Sequence, residues 1–114
     1  SILIGAGGSA TMAPLYDLMC AAVYRQIDQN LPQGIAGRFI ASELHGADWK
    51  TLAEATGLSG ASTIRRVKEL ASQVSDTCDG IAAQMVETGG DPTGVLKRMT
   101  HEIKKRSRRI RRQL

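Results

Sequence analysis

Aromatic residues make up only 4% of this 114-residue chain, with one Trp, one Phe and two Tyr. A core must therefore come from Ala, Leu, Ile, Val and Met, the inventory of small helical bundles. Long apolar runs are also missing, and no stretch approaches the roughly 20 apolar residues that cross a bilayer. The opening Ser1–Ala10 segment has no charged n-region, and its apolar run is too short for a signal peptide. It reads as a flexible arm or cloning remnant over residues 1–13, ahead of one helical domain over 14–114. Ser1 also suggests a piece of a longer chain. Gly5, Gly7 and Gly8 are not a nucleotide loop, because no strand signal precedes them and no Gly-Lys-Ser/Thr follows.

Cysteine is nearly absent. Cys20 and Cys78 are far apart, lack metal-ligand spacing, and each falls on an apolar helical stripe. Buried free thiols in a reducing compartment are expected. Histidine is limited to His45, beside a glycine, and His101, among charged residues, both read as solvated surface groups. With no paired catalytic carboxylates, nucleophile–base pattern or ligand cluster, we expect no enzyme, no cofactor and no metal site. Asp76 and Asp79, with Glu87 or Asp91, are the one acidic set to weigh for a cation, and capping and surface roles explain them better.

What the chain does have is charge, unevenly placed. Lys plus Arg is 15 against 11 for Asp plus Glu, a formal +4. From Lys97 onward there are nine basic residues and one acid, Glu102, so an acidic body carries a basic terminal segment. Lys104, Lys105, Arg106, Arg108, Arg109, Arg111 and Arg112 leave only Ser107 and Ile110 uncharged in that run. Such density repels itself and calls for an anionic partner, either a lipid surface or nucleic acid. No aromatic residue stands beside these cations to stack a base, which argues against specific single-strand recognition.

Periodicity predicts about six helices, an all-α, small antiparallel bundle with short connections. Pro14 opens the first, with Thr11 as its cap, and Leu15, Leu18, Met19, Ala22, Val23 and Ile27 form its stripe to Asn30, where Leu31-Pro32-Gln33-Gly34 stops it. The second runs from about Ile35 to Leu44, with Phe39 and Ile40 inward. Asp48 caps a short third helix that carries Trp49, Leu52 and Ala53, with Trp49 a core anchor and Gly57 its stop. Ser59 or Ser62 starts a fourth along Ile64, Val67, Leu70, Ala71 and Val74. Asp76 or Thr77 caps a fifth along Cys78, Ile81, Ala82, Met85 and Val86, closed by Gly89-Gly90. Asp91 caps the sixth, Pro92 sits in its first turn, and Leu96, Met99, Ile103, Ile110 and Leu114 form a stripe that Ser107 interrupts. No alternating run argues for a strand.

Two readings of function follow. Leu52-Ala53-Glu54-Ala55-Thr56-Gly57-Leu58-Ser59 looks like the first helix and turn of a helix-turn-helix, which would aim Ser62, Thr63, Arg65, Arg66 and Lys68 at duplex DNA in a cytoplasmic regulator or DNA-processing factor. Ile64 lies one residue beyond the usual spacing, and such a slip turns later side chains by roughly 100°. The basic terminal helix would then clamp phosphates. A plain capped helix hairpin accounts for the same residues.

The other reading rests on a resemblance over the last third of the chain. Glu87-Thr88-Gly89-Gly90-Asp91, then Val95-Leu96, then Lys104 to Arg112, resembles the cytoplasmic F-domain of the inner-membrane platform proteins of type II secretion and type IV pili, especially their tight-adherence relatives. Gly90-Asp91-Pro92-Thr93-Gly94-Val95-Leu96 is similar to the secretion branch's Gly-Glu-x-Ser/Thr-Gly-x-Leu turn, and Gly46-Ala47-Asp48-Trp49 with Leu52-Ala53-Glu54-Ala55 to an earlier Gly-x-x-Leu-x-x-Ala helix start. The resemblance implies a non-enzymatic, six-helix scaffold at the cytoplasmic face of a bacterial inner membrane. It would couple an assembly ATPase to pilin or pseudopilin movement, commonly as a homo-oligomer. Glu87, Gly89, Gly90, Asp91, Gly94 and Leu96 would form its turn and interface, and the basic helix would lie against anionic lipid before a membrane span.

Overall fold

In the computed structural model, which describes residues 2–15 and 18–114, the chain is built around a long helical hairpin. Helix α1 spans Gly46–Ala55, α2 spans Gly60–Gly89 and α3 spans Val95–Gln113, while a small antiparallel pair, β1 (Ile2–Ile4) and β2 (Ala10–Met12), stands at the N-terminus. The expected bundle of about six helices is therefore corrected to three α-helices and a two-stranded sheet among the described residues. The Cα radius of gyration is 16.6 Å, well above the roughly 13 Å of a compact chain of this length. The fold is open, and its apolar faces are only partly covered.

The expected fourth and fifth helices are one. Ile64, Val67, Ala71, Val74, Cys78, Ile81 and Met85 keep a single three-and-four phase across the supposed boundary. Thr77 does not cap there. Its hydroxyl donates to the Gln73 carbonyl one turn back (2.8 Å), a bond made inside a continuing helix. The α2 face meets α3 along a thin seam where Ala71, Cys78 and Ser107 are buried. Ser107, read from sequence as an interruption, sits in the middle of the α3 stripe, and its small side chain suits the close approach.

The expected first helix does not form in the described part of its span. Tyr16 and Asp17 lie outside the described residues, Leu15, Leu18 and Met19 are exposed, and only a 3₁₀ turn at Ala21–Val23 is present. An amphipathic stripe gains most of its stability from docking, and here the Gln29 amide takes the local carbonyls instead. It donates to those of Ala21 (3.2 Å), Tyr24 (3.2 Å) and Ile27 (3.0 Å), clipping 21–29 into a closed loop. The expected second helix is replaced by a tight turn in which Ile35 and Arg38 exchange backbone bonds of 2.9 and 3.0 Å. Its central residues, Ala36 and Gly37, take φ of 50° and 78°, the positive values such turns demand. At the N-terminus Ile2 pairs with Met12 and Ile4 with Ala10, with the glycines in the loop between them, so the segment read as a flexible arm holds a hairpin.

Helix α1 begins two residues before Asp48. His45 takes the N-cap position, and its backbone N–H donates to Asp48 Oδ2 (2.8 Å). Arg38 Nε approaches the other oxygen at 2.9 Å. The His45 N–H, joined by Arg38, holds the Asp48 carboxyl below the usual carboxylate range. A depressed folded-state pKa stabilises above the unfolded value and is lost as pH falls through the folded one. Asp48→Asn is expected to lower stability at neutral pH and to flatten its decline from about pH 5 downward. Denaturant midpoints across pH check this, and a gap between the two proteins that does not change with pH would refute it.

Candidate basic and apolar surfaces

Each end of the hairpin carries one of the features singled out from sequence. At the tip, α2 closes on Gly89, and Gly90 takes φ 71° and ψ 170°. Asp91 accepts from the backbone N–H groups of Val95 (2.9 Å) and Leu96 (3.0 Å), and a turn closes from Gly94 N–H to Asp91 O (3.1 Å). The capping role expected for Asp91 is present, although Pro92 lies in that turn rather than in the first turn of α3. Gly94 takes φ 63° just ahead of α3. No atom lies within 4 Å of where a Cβ on Gly89, Gly90 or Gly94 would sit, so none of these glycines serves a close helix approach. Glu87 is exposed in the last turn of α2, and Leu96 is half-buried on the inner face of α3.

Behind the tip, Val74, Cys78, Ile81 and Met85 of α2 and Leu96, Met99 and Ile103 of α3 line an open apolar groove of about 290 Å³. Ile81 and Met85 remain half exposed. The groove lies between α2 and α3 and opens to solvent.

At the other end the seven cations from Lys104 to Arg112 divide by face. Lys104 binds Asp79 of α2, and this hydrogen bond holds the Lys104 ammonium above its usual pKa, so the link persists through neutral pH. Arg111 reaches Ser72 Oγ of α2 (3.4 Å). Both contacts run from α3 to α2 across the hairpin. Lys105, Arg108, Arg109 and Arg112, spaced at three and four, line a shallow outward recess. Lys105 is 3.3 Å from Glu102, an exposed pair of little energetic weight. Arg106 lies toward the clipped 21–29 loop, and Lys105 and Arg109 stand on the edge between that side and the outward recess. Neither Lys104 nor Arg111 is therefore as free for a partner as sequence reading supposed.

The helix-turn-helix-like segment forms a well-capped helix pair. Ala53 is fully buried and Gly57 takes φ 72°. Leu58 N–H donates to Ala53 O (2.8 Å) and Gly57 N–H to Glu54 O (3.2 Å), the two bonds of a Schellman stop. Ser59, rather than Ser62, caps α2. Ile64 and Thr63 turn inward, while Ser62, Arg65, Arg66 and Lys68 stay exposed, with both arginines near Glu69 at 3.9 and 3.5 Å. Arg65, Lys68 and Ser72 share one stripe of α2. The Arg111–Ser72 contact therefore brings this set beside the end of α3, which sequence spacing alone did not reveal.

Asp76, Asp79 and Asp91 do not converge. Asp79 holds Lys104, Asp91 caps α3, and no group of three metal-ligating side chains is gathered among the described residues. Cys78 is buried and Cys20 half-buried in a loop, both as free thiols. His45 and His101 are exposed, and Trp49 is half-buried beside Leu31, Ile40, Leu44 and Ile110. No helix among the described residues is long and apolar enough to cross a membrane. No protein-family model, curated protein or solved structure matches this chain.

Proposed function

We propose that the chain is a non-enzymatic scaffold domain of the kind resembled by its last third, serving at the cytoplasmic face of a bacterial inner membrane. Its role would be to pass movement from an assembly ATPase to pilin or pseudopilin. The observation that carries this reading is the division of labour along α2 and α3. A glycine-defined tip with an open apolar groove stands at one end, and outward Lys105, Arg108, Arg109 and Arg112 stand at the other. From Gly94 to Arg108 the helix rises about 20 Å. A basic foot on anionic lipid would thus leave the tip and groove clear of the headgroups for protein partners. The six-helix form that the resemblance implied is not the fold observed.

The parent reading frame tests this directly. Under the proposal it continues past Leu114 into about 20 apolar residues. A stop codon there removes the platform reading.

A second reading, duplex DNA binding, is favoured by the Arg111–Ser72 contact, which places Arg65 and Lys68 on the same end as the α3 cations. Under this reading affinity falls steeply with salt. Arg65→Ala with Arg66→Ala lowers sequence preference, whereas Arg108→Ala with Arg112→Ala weakens all duplexes alike and makes the salt slope shallower. Fluorescence anisotropy over a salt series measures both quantities, and absence of binding at low salt excludes the reading.

A further inference from the structure

A recess of about 380 Å³ lies between the N-terminal loop and the outer edge of α3, lined by Ala22, Arg25, Gln29, Glu102, Lys105, Arg106 and Arg109. Two segments far apart in sequence supply its four cations, and its one carboxylate, Glu102, already faces Lys105. We propose that this recess is a binding site for a phosphate-rich anion bearing at least two phosphoryl groups, with Arg25, Arg106 and Arg109 as its principal ligands.

Three features carry the assignment. Arg25, Arg106 and Arg109 have no carboxylate partner among the described residues, so three arginines line one recess whose single acid is already engaged, a local excess of positive charge that favours an anion. Guanidinium forks bind phosphoryl oxygens bidentately, which favours phosphate over a lone carboxylate. No aromatic side chain lines the recess, so it has no platform for a nucleobase and selects for the phosphoryl groups alone. The presentation of Arg25 is also built. The three bonds from the Gln29 amide close the loop that carries it, and Ala21–Val23 packs that loop on α3. Arg25 draws no notice in the sequence because its neighbours in the chain are not basic.

The site stands on this loop–helix geometry and does not depend on the platform reading; a stop codon after Leu114 would leave it untouched. Its chemistry fits a phosphorylated lipid headgroup and a soluble polyphosphate alike. The test uses calorimetry of the 114-residue chain with pyrophosphate and tripolyphosphate. Co-sedimentation follows, with phosphatidylcholine vesicles carrying phosphatidylinositol bisphosphate or phosphatidylserine at matched surface charge.

Saturable one-to-one binding is expected, weakened about 10-fold by Arg25→Gln and by Arg109→Gln. Arg65→Gln, which removes the same charge from α2, is expected to leave it within about 2-fold. A preference for the phosphoinositide vesicles that Arg25→Gln abolishes assigns the lipid headgroup. Saturable polyphosphate binding with no vesicle preference assigns a soluble ligand. Equal losses from Arg25→Gln and Arg65→Gln would show diffuse charge attraction and overturn the site. So would an absence of binding to every probe, or binding of duplex DNA alone that Arg25→Gln leaves unchanged. Circular dichroism confirms that each variant keeps the helical content of the parent.

Discussion

Ala53→Leu is expected to lower the thermal unfolding midpoint by about 10 °C, from an overpacking cost of about 1–3 kcal/mol in a domain of this size. Ala53 is the one described side chain with no exposed surface, placed where α1 meets α2. Its carbonyl also accepts the Leu58 N–H that ends α1. Three added carbons have nowhere to go without separating the two helices. The fold has little to absorb such a change, since the other buried apolar side chains among the described residues are Leu44, Ala71 and Cys78. Leu58→Ala nearby should shift the midpoint by no more than about 3 °C, because Leu58 is 61% exposed. Thermal melts followed at the helical circular-dichroism band measure both. Equal shifts for the two variants would show that the α1–α2 contact is not where stability is concentrated.

The contrast between Ala53 and Leu58 shows what is legible in the sequence. Ala53 and Gly57, four apart, announce a helix stop, and Ser59 announces the next start. Both are seen because caps are local chemistry, decided within about one turn. The α3 stripe is legible for a similar reason, since three-and-four spacing survives whatever the helix packs against. The helix expected over Ile35–Leu44 and, in its described part, that expected over Pro14–Asn30 give way to local structure that no docked face offsets. The α2–α3 hairpin leaves an apolar groove that no described residue of 14–44 lines, while Gln29 and Gly37 each supply a competing local structure. Gly37, in the middle of an expected helix, is a local signal that outweighs the apolar pattern around it.

The continuity of α2 is also legible, in a signal that competes with another. A plausible cap at Asp76 or Thr77 stands against an unbroken apolar phase from Ile64 to Met85, and the phase decides the outcome. Interior Thr and Asp cost a helix only a few tenths of a kcal/mol each, far less than interrupting a packed apolar stripe of that length would cost. The basic helix differs again. Its charge is obvious in the sequence but its partition is not, because Asp79 and Ser72 come from a helix antiparallel to it and 25 to 39 residues away. Periodicity places Lys104 and Arg111 on one edge, seven apart, without revealing what that edge meets.

The two glycines at the hairpin tip, treated from sequence as a pair, are expected to respond with opposite signs. Gly90 has φ 71° and ψ 170°, a region essentially closed to any residue with a Cβ, so Gly90→Ala should cost about 1–3 kcal/mol. Gly89 is the last residue of α2 and is not among the glycines with positive φ, and a Cβ there meets nothing within 4 Å. Gly89→Ala should therefore stabilise by about 0.4–1 kcal/mol, chiefly by reducing the freedom of the unfolded chain. Urea midpoints at constant m-value separate the two effects. Stabilisation by both substitutions would mean that the tip does not hold the conformation described. Destabilisation by both would mean that Gly89 packs against a second copy of this chain. The latter result would bear on function, because a scaffold whose tip is an interface needs Gly89 bare, whereas a tip that only reverses the chain needs Gly90 alone.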